Sequence, residues 1–210
     1  MILKEELKAY IKNNIFPKYE CNESGHKLNH VKYVINRCFE LSENKDIDIN
    51  MLYVIAAYHD IGYYIDYKKH ELVSARIMYE DKNLKNFFNN EQLMVMKEAI
   101  EDHRASLDRN PRSIYGKLIS SADRNIDVNE SLKRIYYYSI THHNTSNIED
   151  IIEECYNHAL KKFGKENGYT KFFFEDEKYN IYLNELNDLL NNKDKFIQKL
   201  KNIIAETEKT

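Results

Sequence analysis

Residues 51–64 read MLYVIAAYHDIGYY. The run up to Ala57 is almost wholly apolar and reads as a helix buried on most sides. His59 and Asp60 then stand at its end. A carboxylate stranded in apolar surroundings is strongly destabilising unless it is paired or binds a cation. The stretch therefore predicts a central helix and raises the question of what the adjacent His and Asp hold.

Helical periodicity extends to both sides. Ile2, Leu3, Leu7, Tyr10 and Ile11 share a face over residues 2–15, and Pro17 ends that run. Ser24 has the chemistry of an N-cap for a second helix, whose Leu28, Val31, Val34, Ile35, Phe39 and Leu41 recur at spacings of three and four. SENKDIDIN, residues 42–50, is a polar loop, and Gly62 is the expected stop of the central helix. Further helices are predicted over 69–80, 91–104 and from Ile114 towards Asp123, with the turn SLDRNPRS at 106–113 before the last of these. Three more follow near 128–141, 147–163 and 179–205. FGKENGYTKFFFEDEK, residues 163–178, is weakly helical and suits a short β-hairpin or a loop capping a site.

Composition agrees with an all-α chain. There are 5 Gly and 2 Pro, so few residues break long helices. Hydrophobic residues make up 42% and charged residues 31%, with a formal net charge of −3, so no basic excess points to nucleic acid. No run of about 18 apolar residues is present, so a membrane is not an expected partner either. The N-terminus lacks the apolar core of a signal peptide. Cys21, Cys38 and Cys155 are odd in number and without metal-ligand spacing, which reads as reduced thiols in a cytoplasmic protein. No repeat, linker or shift of composition marks a boundary, and one domain over 1–210 is expected.

Donor side chains recur in the helical pattern in a definite order: His30, His59 with Asp60, His70, His103 and Asp123. Each alone reads most simply as an ordinary core or surface residue. Neighbours on a helix point about 100° apart, so His59 and Asp60 can share a centre only near a helix end, with ligands arriving from other helices. Imidazole and carboxylate together suit Fe, Mn, Zn or Ni, and harder ions such as Mg favour carboxylate-rich sites.

The order H…HD…D, carried by NHVKYVINR (29–37), YHDIGYY (58–64) and SSADRN (120–125), resembles the HD-domain metal-dependent phosphohydrolases. The resemblance covers roughly residues 25–130. It implies an all-α HD-domain helical bundle with its core there, a C-terminal helical extension over 130–210, and a metal held by His30, His59, Asp60 and Asp123. KKHELVSARI (68–77) and EAIEDHRAS (98–106) match the extra histidines of two-metal members, among them diadenosine-polyphosphate hydrolases and cyclic-dinucleotide phosphodiesterases. In that version Asp60 bridges the ions and His70 and His103 hold the second. There is no G-Y-P sequence and Tyr63 follows HDIG, which departs from the cyclic-dinucleotide class. One or two divalent ions (Fe, Mn, Ni, Zn or Mg) are thus the implied cofactor, and a small phosphorylated substrate, a nucleotide by preference, the implied partner of a monomer or homodimer. Asp60 is the catalytic centre of this scheme. Arg104 and Arg124, beside His103 and Asp123, are the first candidates to steady phosphate, ahead of Arg109, Arg112 and Lys117. The rival reading is a nucleotide-binding regulatory module that keeps the metal site with little turnover.

The remaining polar residues read plainly. His26, four before His30, is expected at a helix end or pocket edge. His142 and His143 read as surface loop and His158 as an ordinary helix position. Asp66, Glu71 and Asp102 could orient a histidine, but read by default as solvated carboxylates.

Overall fold

The computed structural model describes residues 2–142, 147–165 and 168–207; His143 lies outside them. Ten α-helices and no strand occur among the described residues. The chain divides into two compact units. The first runs to Arg124 and takes in Phe172–Phe174, and the second comprises Asn125–Lys171 and Glu175–Thr210.

The first unit holds α1 (Glu5–Asn14), α2 (Leu28–Leu41), α3 (Ile49–Tyr58), α4 (His70–Glu80), α5 (Asn90–Glu101) and α6 (Ile114–Ala122). Helix α3 is the axis. Every residue from Asn50 to Tyr58 is buried, because α1, α2, α4, α5 and α6 all pack on it. Burial of Leu52 or Ile55 stabilises the unit by about 1.5–3 kcal/mol each. Asp48 caps α3 by accepting from Asn50 N at 2.8 Å. Helix α1 is tied on by Tyr10, whose hydroxyl donates to Asp81 Oδ2 at 2.5 Å; the Tyr58 hydroxyl reaches the same oxygen at 2.6 Å.

The central helix ends at Tyr58, earlier than Gly62. Residues 59–65 continue as tight turns, with Ile61 N on Tyr58 O and Tyr63 N on Asp60 O. Gly62 serves close approach instead. A Cβ there would lie 2.6 Å from Val73 Cγ1 and 2.8 Å from Ser74 N, and Gly62 N donates to Ser74 Oγ at 2.9 Å. The glycine thus lets α4 lie against the HD turn. The second helix likewise starts later than Ser24, because Ser24–His26 form a separate 3-10 turn before Leu28.

The second unit holds α7 (Val128–His142), α8 (Ile148–Phe163), α9 (Glu177–Leu190) and α10 (Lys193–Thr207). The helix expected over 179–205 is two helices. Asn191 closes α9, and Asn192 opens α10 with its side chain on Lys195 N at 3.1 Å. The four helices bury one apolar stripe each, with Ser131 Oγ and Tyr182 OH paired at 2.9 Å in their midst. His158 sits on α8 against the Tyr138 ring. Residues 168–176 form a loop without strand structure, and Phe172 and Phe174 pack on the core of the first unit.

Candidate metal centre

Five helix ends of the first unit converge. His30 lies in the first turn of α2, His59 directly follows α3, His70 opens α4, His103 follows α5 by two residues, and Asp123 caps the end of α6. His59 keeps helical dihedrals and the chain then tightens into turns closed three residues apart, and His59 and Asp60 face one centre. Both are buried, at 0% and 1% exposure.

Asp60 stands in the middle. On one side its Oδ2 lies 3.3 Å from His59 Nε2 and 3.6 Å from His30 Nε2. Asp123 Oδ1 closes that group, 3.0 Å from His30 Nε2 and 3.9 Å from His59 Nε2. On the other side Asp60 Oδ1 lies 3.5 Å from His70 Nε2 and 3.4 Å from His103 Nε2. Three donor triads with spacings fit for an ion result among the described residues: His30, His59 and Asp123; Asp60, His70 and His103; and His26, His30 and Asp60. All six residues singled out as ligands in the sequence therefore meet.

The ring orientations are fixed by the backbone. His59 Nδ1 is 2.8 Å from Ala56 O, His70 Nδ1 is 2.9 Å from Tyr67 O, and His103 Nδ1 is 2.6 Å from Ile100 O. A carbonyl only accepts, so each Nδ1 donates a proton to it and each Nε2 faces inwards. His70 Nε2 and His103 Nε2 are 3.2 Å apart, and His59 Nε2 and His30 Nε2 are 3.3 Å apart. Nitrogens bound to one ion at about 2.0–2.1 Å stand near such separations. Asp60 Oδ1 and Asp123 Oδ1, both buried, make no hydrogen bond. An orphaned buried carboxylate oxygen is destabilising, and a cation removes the penalty for both.

Electrostatics point the same way. Burial works against charge on Asp60, but His59 and His26 outweigh it and hold its carboxyl well below the usual range. Burial opposes ionisation of Asp123 as well, and His30, 3.0 Å from Oδ1, together with Arg124 holds it low. Burial disfavours the His59 cation, yet Asp60 draws its pKa up to about 9. Burial lowers that of His70, favouring a neutral ring. Both carboxylates are thus held ionised by the groups packed around them.

The arginines separate into different roles. Arg124 is buried, donating to His103 O at 3.1 Å, Ser120 Oγ at 3.0 Å and Asp123 Oδ2 at 3.2 Å. It braces two of the candidate ligands. Arg104 lies at the rim, 38% exposed, on the carbonyl of Lys68 and 3.4 Å from Glu71. Arg109 and Arg112 are committed to Asp102, at 2.6 Å and 2.8 Å. Asp102, expected as a solvated carboxylate, is instead fully buried. An acid followed by two arginines around Pro111 was the available sign of such a clamp. Asp66 caps its own turn through Lys68 N and Lys69 N, and Glu71 lies 3.7 Å from His70 Nδ1.

His26 was placed at the edge by its sequence; its Nδ1 in fact lies 2.6 Å from Asp60 Oδ2. The preceding Gly25, a weak helix former, was the sequence sign that His26 lies outside the helix of His30.

This geometry defines a helical bundle whose histidine and aspartate side chains could together hold a metal ion. Residues 28–125 match the model of the HD domain. No protein of curated function matches the sequence. Among solved structures, the chain is similar to a predicted HD superfamily hydrolase from an uncultured Thermotogales bacterium, 19% identical, with a TM-score of 0.49 over 74% of this chain and 86% of that one. No helix among the described residues is long and apolar enough to cross a membrane.

Proposed function

We propose that the chain is a metal-dependent phosphohydrolase acting on a nucleotide or another small phosphoester or phosphoanhydride. The carrying observation is the His70–His103 pair, with two inward Nε2 atoms 3.2 Å apart beside the orphaned Asp60 Oδ1 and both Nδ1 protons engaged elsewhere. Three electron-rich atoms so placed fit a bound cation. His30, His59 and Asp123 with Asp60 Oδ2 would hold one divalent ion, and Asp60 Oδ1 with His70 and His103 a second. The mixed imidazole–carboxylate set favours Fe, Mn, Ni or Zn over Mg.

Bound there, the ions supply Lewis acidity towards water and towards phosphoryl oxygens. The chain's own residues supply position. The three backbone carbonyls fix the imidazoles, Arg124 holds Asp123 and the His103 backbone, and the exposed Arg104 guanidinium is the candidate to meet an outer phosphate. The free thiols Cys21, Cys38 and Cys155 fit a reducing cytoplasm.

The test is elemental analysis of the purified full chain, followed by a screen of phosphorylated compounds with added Mn, Fe or Ni. Stoichiometric metal with metal-dependent phosphate release is the expected result. Absence of any bound transition metal overturns the reading, and metal with tight nucleotide binding but no turnover replaces it with a regulatory module.

A further inference from the structure

Five histidines face Asp60, and three of them, His59, His70 and His103, are mounted alike, with Nδ1 on a backbone carbonyl and Nε2 inwards. His26 is reversed and offers Nδ1 to the carboxylate. The distance decides what the contact is. Two atoms bound to one ion at about 2.1 Å stand roughly 3 Å apart even at a right angle. The other nitrogen contacts to Asp60 meet that condition, at 3.3 to 3.6 Å. At 2.6 Å the His26 contact is too short for two ligands of one ion and is a charge-assisted hydrogen bond. An ionised carboxylate only accepts, so Nδ1–H donates.

The ring is built in. Tyr63 stacks on it with centroids 3.7 Å apart and planes 18° apart, and the Tyr63 hydroxyl donates to Glu23 Oε1 at 2.8 Å. Asn22 is buried and ties the two backbones together, its Nδ2 donating to His26 O and to Asp60 O at 3.0 Å each. A whole turn, Asn22–His26, is thus devoted to setting one hydrogen bond on Asp60.

We propose that His26 is a positioning residue, its Nδ1–H fixing Asp60 Oδ2 so that the carboxylate is shared between two ions, Oδ2 towards His30 and His59 and Oδ1 towards His70 and His103. The inference rests on the metal centre proposed above. The terminal torsion of an aspartate is soft, so an unheld carboxylate need not present one oxygen to each side. Outer hydrogen-bond partners of metal ligands typically matter 10–100-fold in affinity, about the size expected here.

The experiment is a calorimetric titration of Mn2+ into the metal-stripped full chain, for wild type, His26→Phe and His26→Asn. The Phe variant keeps a ring against Tyr63 and removes the donor; the Asn variant places an amide N–H near the position of Nδ1. Expected are roughly 10–100-fold weaker binding for Phe and recovery to within a few-fold for Asn. Wild-type affinity in the Phe variant overturns the proposal, as does an Asn variant as weak as Phe. Should the Phe variant not fold, His26→Ala takes its place, and the Asn variant must bind at least about tenfold more tightly than Ala. If wild type itself binds no Mn2+, the metal centre falls and this inference with it; if wild type binds and the variants equal it, only the inference falls.

Discussion

Asp60 and Asp102 are both buried carboxylates of the first unit, and the chain treats them in opposite ways. Asp102 is satisfied by protein alone. Arg109, Arg112 and the Arg112 backbone N–H reach its two oxygens at 2.6 to 2.8 Å, and Arg112 continues to Glu101 at 2.6 Å. Asp60 receives one short hydrogen bond, from His26, while four other imidazole contacts stay at 3.3 to 3.6 Å and Oδ1 goes without. Guanidinium supplies permanent charge and short bonds, so Asp102 locks the 104–113 loop that follows His103. Imidazoles turned towards Asp60 form, with it, a donor set that could hold a cation, as the proposed metal centre requires. The two cases separate a carboxylate that completes the fold from one the fold leaves incomplete.

The largest effect that can break this contrast is Asp60→Ala. Loss of the bridging group should remove bound metal and lower phosphate release by roughly a thousandfold or more, while the thermal midpoint of the metal-free protein changes little. Elemental analysis and a melting curve check it. Retained metal would mean that binding does not depend on the carboxylate that stands between the two groups of donors. Asp102→Asn should do the reverse, keeping metal and costing about 2–4 kcal/mol of stability in urea unfolding, discounted for the partly exposed arginines.

The sign of the pH dependence follows from the same clamp. Burial raises the Asp102 pKa, but the hydrogen bonds from Arg112 and Arg109 outweigh it and hold the carboxyl below its ordinary value. A depressed pKa contributes stability in full above the unfolded value of about 3.9, and that contribution is lost as pH falls through the folded value. The stability gap between wild type and Asp102→Asn should therefore be level above about pH 5 and close below about pH 4.

Much of this was legible in the sequence because it is local. The apolar run before HD marked α3, the spacings of three and four marked α2, and the order of His30, His59, Asp60, His70, His103 and Asp123 marked the residues that now meet. What escaped is set by tertiary contact. Nothing local stops a helix at Tyr58; beyond it the chain continues as turns closed three residues apart, and His59 and Asp60 meet partners on other helices. Gly62 was read as a stop, when its lack of a side chain serves a neighbour 11 residues on, Val73. The Asn191–Asn192 break was masked because the leucine and isoleucine spacing runs through it. His26 and Asp102 were read as edge and solvated residues because short-range spacing does not reveal a partner 34 residues away or a loop that folds back.

Gly62→Ala sharpens the contrast at the contact between the HD turn and α4. The added methyl would meet Val73 Cγ1 at 2.6 Å and the Ser74 backbone nitrogen at 2.8 Å. Backbone cannot turn aside as a flexible side chain does, so α4 must shift, at about 1–3 kcal/mol. His70 opens that helix, so the His70–His103 side should lose affinity for metal more than the His30–His59–Asp123 side. Two-step Mn2+ binding, with only the weaker step displaced, is the expected calorimetric outcome. Equal displacement of both steps would mean that the turn moves as one piece.

The smallest effect lies between the two regimes, at Arg104. Its guanidinium sits 3.4 Å from Glu71, against 2.6 Å for Arg112 on Glu101, and it is partly solvated. It is bonded to the Lys68 carbonyl but makes no close ion pair like those of the arginines on Asp102, and it is not part of the donor set. An arginine so placed can bind a phosphate in ground state and transition state alike. Such uniform binding appears in KM alone, by roughly tenfold at most for a group screened by water and by Glu71. Arg104→Ala should therefore raise KM, leave kcat and metal content as in wild type, and lose its effect in high salt. A fall in kcat at constant KM would place Arg104 on the reacting phosphoryl group, and the boundary between rim and centre would have to be redrawn to include it.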